Sequence, residues 1–285
     1  MPPPLLVLAA IASVQCGSAV ARTLFDDLGA AGVTLLRLGL AALLLLAVLR
    51  PRVRQWTAQA WRAALVLGVA MGGMNLVFYQ ALETVPLGVA VTVEFVGPLL
   101  LTLVQTRRLL DLLWALLAAA GVVLLGADPA GAPLSGLALA LLAGGFWAAY
   151  ILAGAAVGRV LPGVDGLAVA LAVGAVLALP FGASGAAAVV DDPRLLLGAA
   201  AVALLSSVLP YTLELTALRR MSTRVFGILM SLEPAAAAVA GLAVLEQALG
   251  VREAVALVLV SLASAGVTVG RRDEAAGTPP VQPLE

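Results

Sequence analysis

The sequence predicts an all-α integral membrane protein of about ten transmembrane helices, arranged as two inverted five-helix repeats. Three observations predict it: apolar runs of spanning length, arginines confined to one side, and echoes between the two halves. Of 285 residues, 62% are hydrophobic and 11% charged, with mean hydropathy +1.10. A soluble domain of this length needs far more charge to cover its surface. The apolar runs last about 18–20 residues, the length a helix needs to cross about 30 Å of hydrocarbon. They lack strong period-2 alternation, which argues against a transmembrane β-barrel.

The runs fall at roughly 4–21, 30–49, 63–82, 87–105, 109–126, 134–153, 164–181, 195–218, 223–245 and 251–269. The first resembles a signal peptide, with small residues at Ala19 and Ala21, but no positive charge precedes it, so it reads as an uncleaved helix. Turn residues punctuate the later runs: Phe25-Asp26-Asp27, Val85-Pro86, Asp128-Pro129-Ala130-Gly131 and Asp191-Asp192-Pro193. The tail from Asp273 is polar, contains proline and reads as disordered.

Arginine placement orients the bundle. With loops numbered alternately, Arg50, Arg52, Arg54, Arg62, Arg107, Arg108, Arg159, Arg219, Arg220, Arg224, Arg271 and Arg272 share one side. Arg22, Arg194 and Arg252 fall on the other, where Asp26, Asp27, Glu83, Asp128, Asp191, Asp192 and Glu246 gather. The arginine-rich side, with both termini, is therefore expected in the cytoplasm.

The halves echo one another. Ala81-Leu82 and Pro98 match Ala217-Leu218 and Pro234 at a common offset of 136 residues. Ala120-Gly121-Val122 resembles Ala265-Gly266-Val267 at a larger one. Such matches are cheap in biased sequence, yet they divide the chain into units 1–126 and 127–270, with 271–285 a cytoplasmic tail. Five helices are an odd number, so the second unit enters the membrane inverted, as in secondary transporters with a midplane site.

Composition removes most catalysis. There is no His, one Cys (Cys16), and every basic residue is Arg. No Ser-His-Asp triad, Cys-His dyad, Ser-Lys dyad or His-ligated metal site can form. No cofactor or metal is expected, and a formal net charge of zero argues against a nucleic-acid partner.

Charged groups inside a bilayer are costly and face a cavity or a partner. Arg37 and Glu94 sit at a shared depth in the second and fourth runs, so an ion pair is feasible, either structural or engaged with substrate or proton. Glu233 precedes Pro234 in the ninth run, and Glu94-Phe95-Val96-Gly97-Pro98 carries similar chemistry in the fourth. Proline frees a carbonyl one turn earlier, so a helix broken there presents a carboxylate and a bare carbonyl; two kinks with packing glutamates are the plainer alternative. Glu214 lies near the expected cytoplasmic end, where Arg219, Arg220 or Arg224 can neutralise it.

Uncharged polar groups extend the pattern. Ser13, Gln15 and Ser18 lie in the first helix. Asn75 and Tyr79 share a face of the third, Trp147 and Tyr150 of the sixth, and Ser207, Tyr211 and Glu214 of the eighth. Together they can line a cavity for a small zwitterion; singly, each fits a helix–helix hydrogen bond better. Gly68-x-x-x-Gly72 with Gly73 marks close helix packing.

A family resemblance rests on Ser13-Val14-Gln15 with Gly17, Val33-Thr34-Leu35-Leu36-Arg37-Leu38, Gly72-Gly73-Met74-Asn75 and Val85-Pro86-Leu87-Gly88. It continues through Glu94-Phe95-Val96-Gly97-Pro98-Leu99, Leu209-Pro210-Tyr211 with Glu214, and Met230-Ser231-Leu232-Glu233-Pro234-Ala235. On these segments the chain, from about Leu5 to Gly270, resembles the EamA branch of the drug/metabolite transporter superfamily, and within it the bacterial inner-membrane threonine/homoserine exporters. The resemblance implies ten helices, cytoplasmic termini, two repeats, and amino-acid efflux driven by the proton gradient. Glu94, Glu233, Arg37, Gln15, Asn75, Tyr79, Tyr211 and Glu214 are positions shared with that pattern.

The resulting expectation is a non-enzymatic, multi-pass inner-membrane transporter exporting small amino acids by proton antiport with alternating access. Its partners would be an amino acid, protons and the lipid bilayer, with the oligomeric state unassigned. A passive facilitator, or an exporter of another metabolite, is the first alternative. A non-transporting sensor or assembly partner is the second, and an intramembrane enzyme fits poorest.

Overall fold

The computed structural model describes residues 2–105, 109–126, 132–161, 164–218, 220–221, 226 and 229–270, and those residues contain helices and turns but no strand. The helices are α1 (Pro3–Thr23), α2 (Phe25–Leu49), α3 (Ala58–Ala81), α4 (Leu87–Glu94), α5 (Val96–Gln105) and α6 (Leu109–Gly126). They continue with α7 (Leu134–Val160), α8 (Asp165–Ala186), α9 (Arg194–Ala203), α10 (Leu209–Leu218), α11 (Glu233–Leu245) and α12 (Val251–Gly270). A π-helical turn, Leu204–Val208, joins α9 to α10.

Six described helical segments are long and apolar enough to cross a membrane, and shorter apolar helices lie at Leu87–Leu101, Leu112–Leu125 and Glu233–Leu245. Burial is inverted relative to a soluble protein. Leu43, Val66, Val104, Val123, Phe181 and Leu197 are exposed, while Gln15, Arg37, Asn75, Glu94, Ser207 and Glu233 are buried. Only a hydrocarbon surround makes that distribution favourable. The chain is a multi-span membrane protein.

α2 packs along α8, and α3 packs along both α7 and α8. α1 packs on α10 and α11, α4 on α11 and α7, and α6 on α12. Glycine sets the closest approaches. A Cβ at Gly68 would lie 2.8 Å from the Ala170 carbonyl oxygen, and one at Gly72 would lie 2.7 Å from the Gly174 Cα. The expected Gly68/Gly72 seam is therefore the α3–α8 contact, and Gly73 admits the Phe146 ring of α7. The first turn of α4 is capped across the molecule, where the Leu87 N–H donates to Gln247 Oε1 at 2.9 Å.

One connection differs from expectation. Phe25-Asp26-Asp27 is not a turn but the helical start of α2, with the break displaced to Gly29 at φ 67°, ψ 158°. Asp26 and Asp27 suit the positive end of a helix, and glycine takes the backbone angles that L-residues resist. Nothing lies within 4 Å of a Cβ built at Gly29. Gly29→Ala therefore reports strain alone: an expected loss of about 1–3 kcal/mol, read in the thermal unfolding of the purified protein. The expected turn at Asp128–Gly131, the tail 271–285, and Arg107, Arg108, Arg219, Arg224, Arg271 and Arg272 lie outside the described residues.

Candidate functional site

A cavity of about 130 Å³ opens between the helices of the two chain halves. A single water needs only about 10–15 Å³, so the space is large enough for a small solute. α1 supplies Val14, Gln15 and Ser18, α2 supplies Arg37, α3 supplies Met74, Asn75 and Phe78, and α4 supplies Val91 and Glu94. From the second half come Trp147 and Tyr150 on α7, Ser206 in the π turn, Pro210, Tyr211 and Glu214 on α10, then Met230 and Glu233.

Arg37 is the best-anchored polar group there. Its Nε donates to Ser207 Oγ at 3.1 Å, Nη1 to the Tyr79 hydroxyl at 2.8 Å, and Nη2 to the Ser206 carbonyl at 2.7 Å. Two of these partners exist because the chain departs from α-helix. Pro210 has no N–H, which releases the Ser206 carbonyl four residues earlier, and the π turn directs that carbonyl and the Ser207 hydroxyl at one guanidinium. Three of five N–H groups are thus engaged, leaving two for a ligand.

The carboxylate–proline elements both lie at helix breaks. Glu94 ends α4, Phe95 interrupts, and α5 begins at Val96 with Pro98 in its first turn. Glu233 begins α11 with Pro234 in its first turn, after turn residues Ser231 and Leu232. Both side chains are buried and line the cavity. Phe95 packs edge-on to Trp147, with ring centroids 5.2 Å apart, which braces the wall beside Glu94. Among the described residues no His/Cys/Asp/Glu cluster suited to a metal occurs.

Two buried cavity atoms have no hydrogen-bond partner among the described residues: Gln15 Oε1 and Ser206 Oγ. Asn75 differs, since its Nδ2 donates back to the Met71 carbonyl at 2.8 Å. Tyr150 and Tyr211 hydrogen-bond to each other.

Known proteins share this chain's sequence and fold. The family model described as "EamA-like transporter family" matches residues 134–269. The threonine/homoserine exporter RhtA of Salmonella typhimurium is 42% identical over 275 residues, covering 95% of this chain and 93% of that protein. RhtA of Escherichia coli K12 matches to the same extent. The chain belongs to the EamA-like transporter family. A crystal structure 18% identical to this transporter superposes with TM-score 0.61 over 97% of this chain and 99% of that one, a likeness of fold. A member of a transporter family, the protein is not an enzyme.

Nine of the ten polar positions expected at the site of this EamA-like transporter line the cavity: Gln15, Arg37, Asn75, Glu94, Trp147, Tyr150, Tyr211, Glu214 and Glu233. Tyr79 does not. It is fully buried behind the wall, its ring against Phe25 and Phe78, and its hydroxyl accepts from Arg37. The Arg37–Glu94 ion pair that shared depth made feasible is not formed, because the guanidinium is turned to Tyr79, Ser206 and Ser207. Glu214, weighed below the other two glutamates in the sequence, lines the cavity with Glu94 and Glu233. On the eighth run Ser206, not Ser207, shares the cavity face with Tyr211 and Glu214, since the extra residue of a π turn moves the register by one. Val14, Ser18, Met74, Phe78, Val91, Pro210 and Met230 complete the lining. Ser18 carried a sequence signal, and Val14, Met74, Pro210 and Met230 lie in the segments that carry the family resemblance; Phe78 and Val91 read like lipid-facing residues.

Proposed function

We propose that this transporter exports small amino acids of the threonine and homoserine kind across the bacterial inner membrane by proton antiport with alternating access. The observation that carries the reading is a solute-sized cavity that, among the described residues, holds one fixed guanidinium and three carboxyl groups. An amino acid is a zwitterion: its carboxylate suits the free N–H groups of Arg37, and its ammonium suits Glu94, Glu214 or Glu233. The name carried by relatives 42% identical, threonine/homoserine exporter, agrees with that chemistry. In a chain without His, the carboxyl groups are also the natural proton carriers. An ammonium and a proton competing for one carboxylate supply the differential affinity that exchange requires.

Two inverted five-helix units, 1–126 and 127–270, are part of the proposal. The helix pairing supports them: α1 packs on α10 as α7 packs on α3, while α2 meets α8, α4 meets α11 and α6 meets α12. Exchanging the halves maps this set onto itself. Cytoplasmic termini fit the clustering of Arg50, Arg52, Arg62 and Arg159 around neighbouring clefts, where α2 ends, α3 begins and α7 ends.

The test is expression in cells lacking their own amino-acid exporters, with homoserine and threonine tolerance and efflux as readouts. Gained tolerance, with efflux abolished by an uncoupler, is expected. Efflux indifferent to the uncoupler identifies a passive facilitator and overturns antiport. No efflux, and no stabilisation of the purified protein by any amino acid, leaves a sensor or assembly role. Glu94→Gln and Glu233→Gln should each lower gradient-driven efflux about 10–100-fold, the worth of one charge-assisted bond of about 1.5–3 kcal/mol. If both folded variants export normally, Glu94 and Glu233 do not carry the coupling.

A further inference from the structure

We infer that Gln15 and Ser206 form a hydroxyl-reading subsite, which makes this transporter select hydroxylated amino acids over aliphatic ones of the same shape. The inference rests on the amino-acid reading above and assigns the side-chain end of the ligand.

Gln15 and Ser206 are 5% and 1% exposed, yet Gln15 Oε1 and Ser206 Oγ lack partners among the described residues. Both residues line the cavity. Unmet buried polar atoms are costly, and a ligand group that meets them is favoured by the same amount. Their chemistry is complementary to one hydroxyl: the amide oxygen accepts its hydrogen, and the serine hydroxyl donates to its oxygen.

Their placement is fixed. Ser13 Oγ donates to the Leu205 carbonyl at 2.7 Å, locking α1 to the π turn two residues before Gln15. Gly17 has no side chain, and a Cβ there would overlap Ser206 Oγ, so the helix and the turn meet without a gap. The Ser206 carbonyl holds Arg37, and the same residue lines the cavity with its hydroxyl unmet beside Gly17. The carboxylate anchor and the unmet hydroxyl therefore belong to neighbouring atoms of one wall. An α-carboxylate on Arg37 brings a hydroxyl on the β- or γ-carbon toward Ser206 and Gln15, which describes threonine and homoserine.

A site built for a hydroxyl rejects the analogue lacking it, because its own polar groups are then left unpaired. The experiment measures dissociation constants of the purified full-length protein for L-threonine against L-valine and for L-homoserine against L-norvaline. The wild type should prefer the hydroxylated member of each pair by about tenfold or more. Gln15→Leu and Ser206→Ala should bring both ratios to within about twofold of unity, with an unfolding midpoint no lower than that of the wild type. Ser206→Ala keeps the backbone carbonyl that holds Arg37, so the carboxylate anchor serves as an internal control. Wild-type ratios near unity, or ratios unchanged in both variants, overturn the subsite and leave the amino-acid reading standing. Failure of the wild type to bind any of the four overturns the amino-acid reading itself.

Discussion

Arg37→Gln should abolish amino-acid efflux while most of the protein remains in the membrane. The guanidinium lies at the junction of the two halves: it comes from α2, and two of its three hydrogen bonds end on the π turn. Removing it deletes the one positive charge lining the cavity among the described residues and strands the Tyr79 hydroxyl, the Ser207 hydroxyl and the Ser206 carbonyl. Charge-assisted bonds are worth about 1.5–3 kcal/mol each, and a buried group left without its partner costs a similar amount. Even one lost bond to the substrate carboxylate weakens binding about 10–100-fold. Arg37→Lys should fail almost as completely. An ammonium keeps the charge but cannot reach three partners lying in different directions and still offer a fork to a carboxylate. Efflux from loaded cells and binding to purified protein check both variants; near-normal transport by Arg37→Lys would show that charge alone suffices.

The second large effect concerns stability. Gly97→Ala and Gly144→Ala should each lower the unfolding midpoint sharply and depress the yield of folded protein. A Cβ at Gly97 would overlap the Gly144 carbonyl group, and one at Gly144 would overlap the Glu94 carbonyl oxygen. Both obstacles are backbone, so no side-chain rotation relieves them. The cost is that of an overpacked core, about 1–3 kcal/mol or more. It also acts on function, because separating α5 from α7 moves Glu94 and Trp147, two walls of the cavity. Gly145, the next residue, is the control. Nothing lies within 4 Å of a Cβ there, so Gly145→Ala should be neutral or stabilising by up to about 1 kcal/mol, as for any helical glycine with room. Thermal unfolding of the three variants in one detergent decides it.

Much of this was legible beforehand. The apolar runs marked the helices to within a few residues, except where 30–49 began at Phe25, 63–82 began at Ala58, 134–153 reached Val160, 164–181 reached Ala186 and the helix ending 223–245 began at Glu233. Glu94, Glu233 and Arg37 stood out because charge within an apolar run has few uses. Prolines marked the breaks: Pro98 and Pro234 foretold the kinks, and Pro210 marks the turn that frees the Ser206 carbonyl. The rest of the apolar lining was illegible, since Phe78 and Val91 facing a solute look the same as residues facing lipid.

The sequence by itself determined that the chain lives in the bilayer, where its helices lie, and which polar residues had to be sheltered there. Those properties follow from transfer energies and helical length, which are local. Only the tertiary structure decided partnership. It turned Arg37 from Glu94 to the π turn, put Tyr79 behind the wall, brought Glu214 to the cavity, and chose Ser206 over Ser207. Each outcome depends on a register or a crossing between helices far apart in the chain. A one-residue π insertion rotates a face by about 100° with almost no trace in composition.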